Sequence, residues 1–212
     1  MYLLGDGAPR EVHRSDQHER IILAPMETLE AILTRRSIPK CAEDRIPDRA
    51  TIQKLLEAAV RAPNHHLTEP WRFIVLSGDA LKALGDAMAD GNASQGKDPE
   101  AIRSKPLRAP IIITIVGHPK THVARVSEIE EHHAAGAAMQ NILLAAHDLG
   151  LAAMIRTGPA AEMPEVRDHL GIGSDEVISG FIYVGYPAEG TEDRPLTRRT
   201  PADDLTEWRG WD

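Results

Sequence analysis

Arg61-Ala62-Pro63-Asn64-His65-His66-Leu67-Thr68-Glu69-Pro70-Trp71-Arg72-Phe73 joins a helical pattern to an apolar run, Ile74-Val75-Leu76. On its N-terminal side, Pro47 and Asp48 open an amphipathic pattern. Ile52, Leu55, Leu56, Ala59 and Val60 recur there at i, i+3, i+4, i+7 and i+8. Pro63 ends that helix, because a proline disfavours the helical conformation in the residue before it. On the C-terminal side, Phe73 to Leu76 reads as a buried strand. A second cationic stretch, Arg35-Arg36-Ser37, closes an earlier pattern running from Met26 to Arg35, with Met26, Leu29, Ile32 and Leu33 on one helical face.

Working outward, Ala80 to Met88 predicts a short helix with Asp79 as its N-cap. Asn92 to Arg108, rich in Gly, Pro, Lys, Ser and Asp, reads as a loop or lid. Ile111-Ile112-Ile113-Thr114-Ile115-Val116 is apolar on both faces, which predicts a central strand. Ser127-Glu128-Ile129-Glu130 fits a capping box, and the helix it opens extends to Leu149 and stops at Gly150. The middle of that helix, Ala134 to Ala146, is small and apolar nearly all round. It predicts burial on most faces and close approach of a second helix, in a dimer. Leu151 to Ile155 is another strand, Pro164 and Gly171 frame a short helix, and Val177 to Val184 is the last core strand, closed by Gly185-Tyr186-Pro187. Local patterning admits α+β or α/β and does not choose between them.

The chain has 212 residues, enough for one domain with a sizeable core. We place that domain at 26–187. Residues 1–25 precede it as an arm, either mobile or ordering on a partner subunit. A polar tail, 188–212, follows; its Trp208 and Trp211 are expected to dock on this subunit or its partner. Net charge is −8, which argues against a nucleic-acid role through a general basic surface. Cys41 is the only cysteine, so no intrachain disulfide forms, and a packed thiol is the expectation. No apolar run approaches the roughly 18–20 residues of a membrane span. The start lacks the pattern of a secretory signal, and a cytoplasmic address is the default expectation. There is no Gly-x-Gly-x-x-Gly after a strand and no Walker-type loop.

Several residues can carry binding chemistry. Arg35 and Arg36 offer planar donor forks suited to phosphate, and Ser37 adds a hydroxyl; alone, the pair also reads as a basic helix end complementing the macrodipole. Arg61 and His65 flank the Pro-rich loop and can serve the polar edge of a flat ligand. Ile155-Arg156-Thr157-Gly158 brings an arginine, a hydroxyl and an approachable backbone to a strand end. Arg198-Arg199 reads as surface charge or as a further phosphate partner. His65-His66 and Glu128-x-x-Glu131-His132-His133 give no complete metal-ligand set, so no metal is expected. No Ser-His-Asp set, Cys-His set or carboxylate pair stands out. That suits a reaction whose chemistry is carried by a cofactor, with no catalytic side chain of its own.

These motifs together resemble the flavin-dependent nitroreductase family, in its short, minimal branch. The likeness runs from about Met26 to Pro187. It rests on Arg35-Arg36-Ser37, on Arg61-Ala62-Pro63 with Pro70-Trp71-Arg72-Phe73, and on Arg108-Ala109-Pro110 before the isoleucine strand. The Ala135-to-Ala146 helix before Leu149-Gly150-Leu151, and Val184-Gly185-Tyr186-Pro187, complete it. The resemblance implies an α+β fold with a central, mostly antiparallel sheet flanked by helices. It implies an intertwined homodimer with FMN at the interface and NADH or NADPH as hydride donor. It implies FMN contacts from Arg35, Arg36, Ser37, Arg61, His65, Ile155, Arg156 and Thr157. The sequence departs from the broader pattern at Pro39-Lys40, Asn64, Leu67 and Glu69. Glu69 stands where the family usually has glutamine before Pro-Trp, and a negative charge beside a flavin disfavours its anionic reduced form.

Two functions of different class follow. One is an FMN-dependent NAD(P)H oxidoreductase acting on a small electrophile such as a nitroaromatic or a quinone. The other is a protein that binds and sequesters FMN with little turnover. A dimeric interaction protein without cofactor is the plainest third reading.

Overall fold

The computed structural model describes residues 26–93, 96–123, 125–191 and 195–211. The expected N-terminal arm, 1–25, lies outside them. Among the described residues six α-helices and four strands follow in the order α1 (Thr28–Thr34), α2 (Arg49–Ala59), β1 (Trp71–Ser77), α3 (Asp79–Asp90), α4 (Pro99–Arg103), β2 (Ile111–Gly117), α5 (Glu128–Asp148), β3 (Ala152–Arg156), α6 (Pro164–His169) and β4 (Val177–Gly185). Among the described residues the strands form one antiparallel sheet in the order β1-β2-β4-β3. The fold is α+β.

β2 is buried at all seven positions and lies inside the sheet, as its two apolar faces require. Successive side chains of a strand alternate between faces. Ile111, Ile113 and Ile115 therefore join Ile182 and Val184 of β4 under α2 and α5. Ile112, Phe181 and Tyr183 face the layer built by α3, α4 and α6. The sheet thus separates two apolar clusters, each closed by its own helices.

The helix boundaries follow local chemistry. Asp48 caps α2 by accepting a 2.7 Å hydrogen bond from the Thr51 amide. Ser127 and Glu130 close the expected capping box on α5, and Gly150 takes φ +69° just past its end. Within the 134–146 run, Ala134, Ala135, Ala138, Ile142, Leu143 and Ala146 are buried in this chain's own core.

Three expectations need correction. β1 is an edge strand and only half buried, with Val75 at 42% exposure, because an apolar triplet does not report how many neighbours its strand has. The N-cap of α3 is Gly78, at φ +54°, and Asp79 is the first helical residue. The 92–108 stretch is not all loop: Asp98 accepts from the Glu100 amide and opens α4, with Pro99 at the first helical position, and a 3-10 turn follows at Pro106–Arg108. In the tail, Trp208 and Trp211 stack edge to face with centroids 5.4 Å apart, and are 62% and 77% exposed.

A non-local ion pair ties the outer corner of the sheet. Arg72 on β1 donates from Nε (2.6 Å) and Nη2 (2.7 Å) to the two carboxylate oxygens of Glu176, just before β4. The Gly173 amide adds 2.9 Å to the same carboxylate. These donors, Arg72 foremost, hold the Glu176 carboxyl down at about 2, against an ordinary 4.5. A depressed carboxyl stabilises the fold fully above its unfolded value and loses that contribution as pH falls towards its folded value. Glu176→Gln should therefore lower stability at neutral pH and flatten the loss of stability between pH 4.5 and about 2. Urea melts of both proteins across that range check it; parallel acid limbs would contradict it.

Candidate functional site

The 61–73 loop is held in a costly conformation. His66, Leu67 and Glu69 have φ of 52°, 53° and 46°, the left-handed region that residues with a Cβ avoid. Such geometry persists only where surroundings enforce it. The enforcing contacts are clear. Asn64 Oδ1 accepts from the Glu69 amide (2.9 Å), and Thr68 Oγ1 donates to Glu131 Oε1 (2.7 Å). Glu131 is 1% exposed and also accepts from the Lys120 amide (3.0 Å). The residue read as a marginal metal candidate is therefore a buried brace between two loops. Among the described residues no cluster of metal-ligating side chains occurs. Arg72, a conceivable partner of Glu69, is committed to Glu176.

Arg61, His65 and Leu67 are exposed on this braced loop, Leu67 at 81%. The His65–Leu67 turn packs against the N-terminal end of α5. The Arg35-Arg36-Ser37 stretch lies at the other end of that helix. There the Met26 amide donates to Asp148 Oδ1 (2.7 Å), and Thr34 Oγ1 sits 2.9 Å from His147 Nε2. From Glu131 to His147 the helix rises by about 24 Å. One chain therefore does not gather Arg61 and His65 around the same ring as Arg35 to Ser37.

Arg35 is the most telling side chain. Its Nη1 is buried and has no hydrogen-bond acceptor among the described residues. Burial, and secondly the like charge of Arg199, hold its guanidinium below the ordinary arginine value. Arg199, read from sequence as surface charge or phosphate partner, is thus close to Arg35 although 164 positions separate them. Arg36 Nη2 donates to the Thr191 carbonyl (3.3 Å), and Ser37 is exposed. The next residue, Ile38, donates its amide to Ala153 on β3 (3.2 Å), which seats the whole stretch beside that edge strand.

β3 brings Ile155, Arg156 and Thr157 to the same edge but on different faces. Ile155 packs with the α2–α5 cluster, whereas the Arg156 guanidinium lies 5.4 Å from the Tyr183 ring on the opposite face. Cys41 lines a groove of about 910 Å³ beside the same edge, and burial pushes its thiol up to about 11, which favours the protonated thiol over the thiolate at neutral pH.

The family model for the nitroreductase family matches residues 32–186. The chain belongs to the nitroreductase family. Over 165 residues it is 34% identical to YdjA of Escherichia coli strain K12, provisionally named an NAD(P)H nitroreductase; the match covers 76% of this chain and 89% of YdjA. Among solved structures it is similar to a nitroreductase-like family protein from Bacillus cereus, with TM-score 0.79 and 23% identity, covering 90% of this chain and 100% of that one. It is also similar to a protein described as a nitroreductase from Desulfovibrio desulfuricans, solved in complex with FMN. There the TM-score is 0.68 and the identity 27%, covering 89% and 100% of the two chains.

The strain in the loop is measurable. Leu67→Gly removes an exposed side chain from a left-handed position and should raise stability by about 1 kcal/mol. Denaturant melts check this. A destabilised variant would mean that Leu67 packs against something other than solvent.

Proposed function

We propose that this chain is an FMN-dependent oxidoreductase that takes hydride from NADH or NADPH and passes it to a small electrophile, a nitroaromatic, a quinone or a similar molecule. The observation that carries the reading is Arg35. A guanidinium with a buried, unpartnered donor beside a second guanidinium is costly unless an oxyanion completes it. A phosphate does so with charge-assisted hydrogen bonds. Arg35 and Arg199 would hold the FMN phosphate, with Arg36 and Ser37 alongside. Arg61 and His65 would serve the polar edge of the ring, and Ile155, Arg156 and Thr157 would border it. When bound, FMN supplies the centre that accepts and donates hydride. The chain's own work is to bind, orient and surround that centre with cations; no side chain is assigned an acid, base or nucleophile role.

The reading needs two copies of the chain. We infer a homodimer in which a two-fold axis sets α5 against its equivalent, running antiparallel. Arg61 and His65 at one end of one helix then meet Arg35 to Ser37 at the far end of the other. The outward stripe of α5 suits this: a Cβ at Gly136 would meet nothing within 4 Å, and Ala137 and Leu144 are only partly covered. On α1, Leu29 and Leu33 are 72% and 64% exposed. We propose that the tail tryptophans dock on the partner subunit. The electron acceptor is a small molecule, and no described helix is long and apolar enough to cross a membrane.

The purified protein should be yellow. Arg35→Ala should weaken FMN binding roughly ten- to hundredfold, the cost of a charge-assisted contact, as read by fluorescence titration. A colourless protein that binds no FMN would overturn the reading. Anaerobic stopped-flow with NADPH and NADH should bleach the bound flavin; a flavin that stays oxidised with both would leave the sequestering function instead.

Gly136→Glu places two like charges across the inferred axis while leaving the subunit's own core alone. By contrast Ala138, fully buried among this chain's own side chains, would report folding and not assembly. The variant should sediment as monomer with reduced flavin content. Wild-type protein that sediments as a flavin-loaded monomer at micromolar concentration would rule the dimer out.

A further inference from the structure

Beneath the sheet, on the side away from α2 and α5, lies a cavity of about 380 Å³ between β3, β4 and the residues Asn92, Lys97, Ile102, Lys105 and Arg108. Its volume is that of a small-ligand site. Four cations line it, Lys97, Lys105, Arg108 and Arg156, and no carboxylate does, in a chain whose net charge is −8. Among the described residues, Lys105, Arg108 and Arg156 have no carboxylate partner. Met88, Met154 and Phe181 add an apolar part to its lining.

Tyr183 joins the two halves. Its ring belongs to the buried cluster beneath the sheet. The guanidinium of Arg156 lies 5.4 Å from that ring, and Arg108 and Arg156 are both near enough to oppose the upward push of burial on its phenol. Lys105, Arg108 and Arg156, gathered without a carboxylate, repel one another, and an anion bound among them relieves that repulsion. A guanidinium fork and a phenol hydroxyl are both donors, and an oxyanion accepts from both.

We propose that this cavity is a binding site for a small anion with a flat apolar body, its oxyanion between Arg108, Arg156 and Tyr183 and its body against the methionine and phenylalanine wall. The site is separate from the phosphate seat at Arg35, since neither Arg35 to Ser37 nor Arg61 and His65 line it. It shares the end of β3, with Ile155, Arg156 and Thr157, with the residues proposed to border the flavin ring. It does not rest on the flavin reading.

Benzoate and phenyl phosphate are the probes, with benzamide as the uncharged analogue of benzoate. Calorimetric titration of the full chain, with flavin content recorded from its absorption spectrum, should show saturable binding of benzoate or phenyl phosphate and much weaker binding of benzamide. The preferred probe tells carboxylate from phosphate. Arg108→Gln should weaken the anion roughly ten- to hundredfold with the thermal melt unchanged, and Lys105→Gln should weaken it less. Should Arg108→Gln fail to fold, Tyr183→Phe is the second variant, with a smaller loss expected. No binding of either anion, equal binding of benzamide, or an unaltered affinity in a folded Arg108→Gln would overturn the proposal. So would displacement of benzoate by added FMN, which would return the cavity to the flavin site. Colour and benzoate binding are separate readouts, so either reading can fail without the other.

Discussion

Seven consecutive residues, Ile111 to Gly117, are shut off from water on both faces of one strand, and the rest of the architecture answers to that. Such a strand needs a neighbour on each edge and an apolar layer above and below. β1 and β4 provide the edges. α2 and α5 provide one layer, and α3, α4 and α6 the other. Because both faces are covered, the candidate site residues are left at the rim. Arg35, Arg61, His65 and Arg156 all sit on loops or element ends around the buried slab.

The frame was readable because its signals are local. Asp48 before an amphipathic stretch, the Ser127–Glu130 box, Gly150 and the isoleucine run each state their own structure within a few residues. What escaped the reading depends on distance. That β1 is an edge strand is a fact about its neighbours, not about Ile74-Val75-Leu76. The Arg72–Glu176 pair spans 104 positions, and Arg199 comes near enough to Arg35 to act on its charge from most of the chain away. α4 is a different case: Asp98-Pro99 is a good local start signal, obscured by the polar residues around it.

The candidate site divides in the same way. Residue types suited to phosphate and to a polar ring edge were visible in Arg35-Arg36-Ser37 and in the 61–73 loop, and the family resemblance grouped them. Their separation along α5 was not visible, since it arises from where α1 and the His65 turn pack on that helix. Nor was the basic cavity. Lys105 precedes and Arg108 ends a proline turn that looked like ordinary loop, and only the fold carries them to Tyr183 and Arg156. The strain at Leu67 and Glu69 was equally silent, because neither is a residue type that favours a left-handed backbone, and His66 favours it only weakly.

The placement of the three tryptophans has an optical consequence. Trp208 and Trp211 lie largely in solvent in the isolated subunit, stacked on each other, while Trp71 alone sits half buried at the start of β1, next to the strained loop. Intrinsic emission is therefore a sum of two tail fluorophores that see water whether or not the sheet is intact and one that senses the loop. Unfolding of the core changes only a fraction of that light. Anything that covers the tail shifts most of it, so the chain's fluorescence is a reporter of what touches its C-terminus more than of its fold.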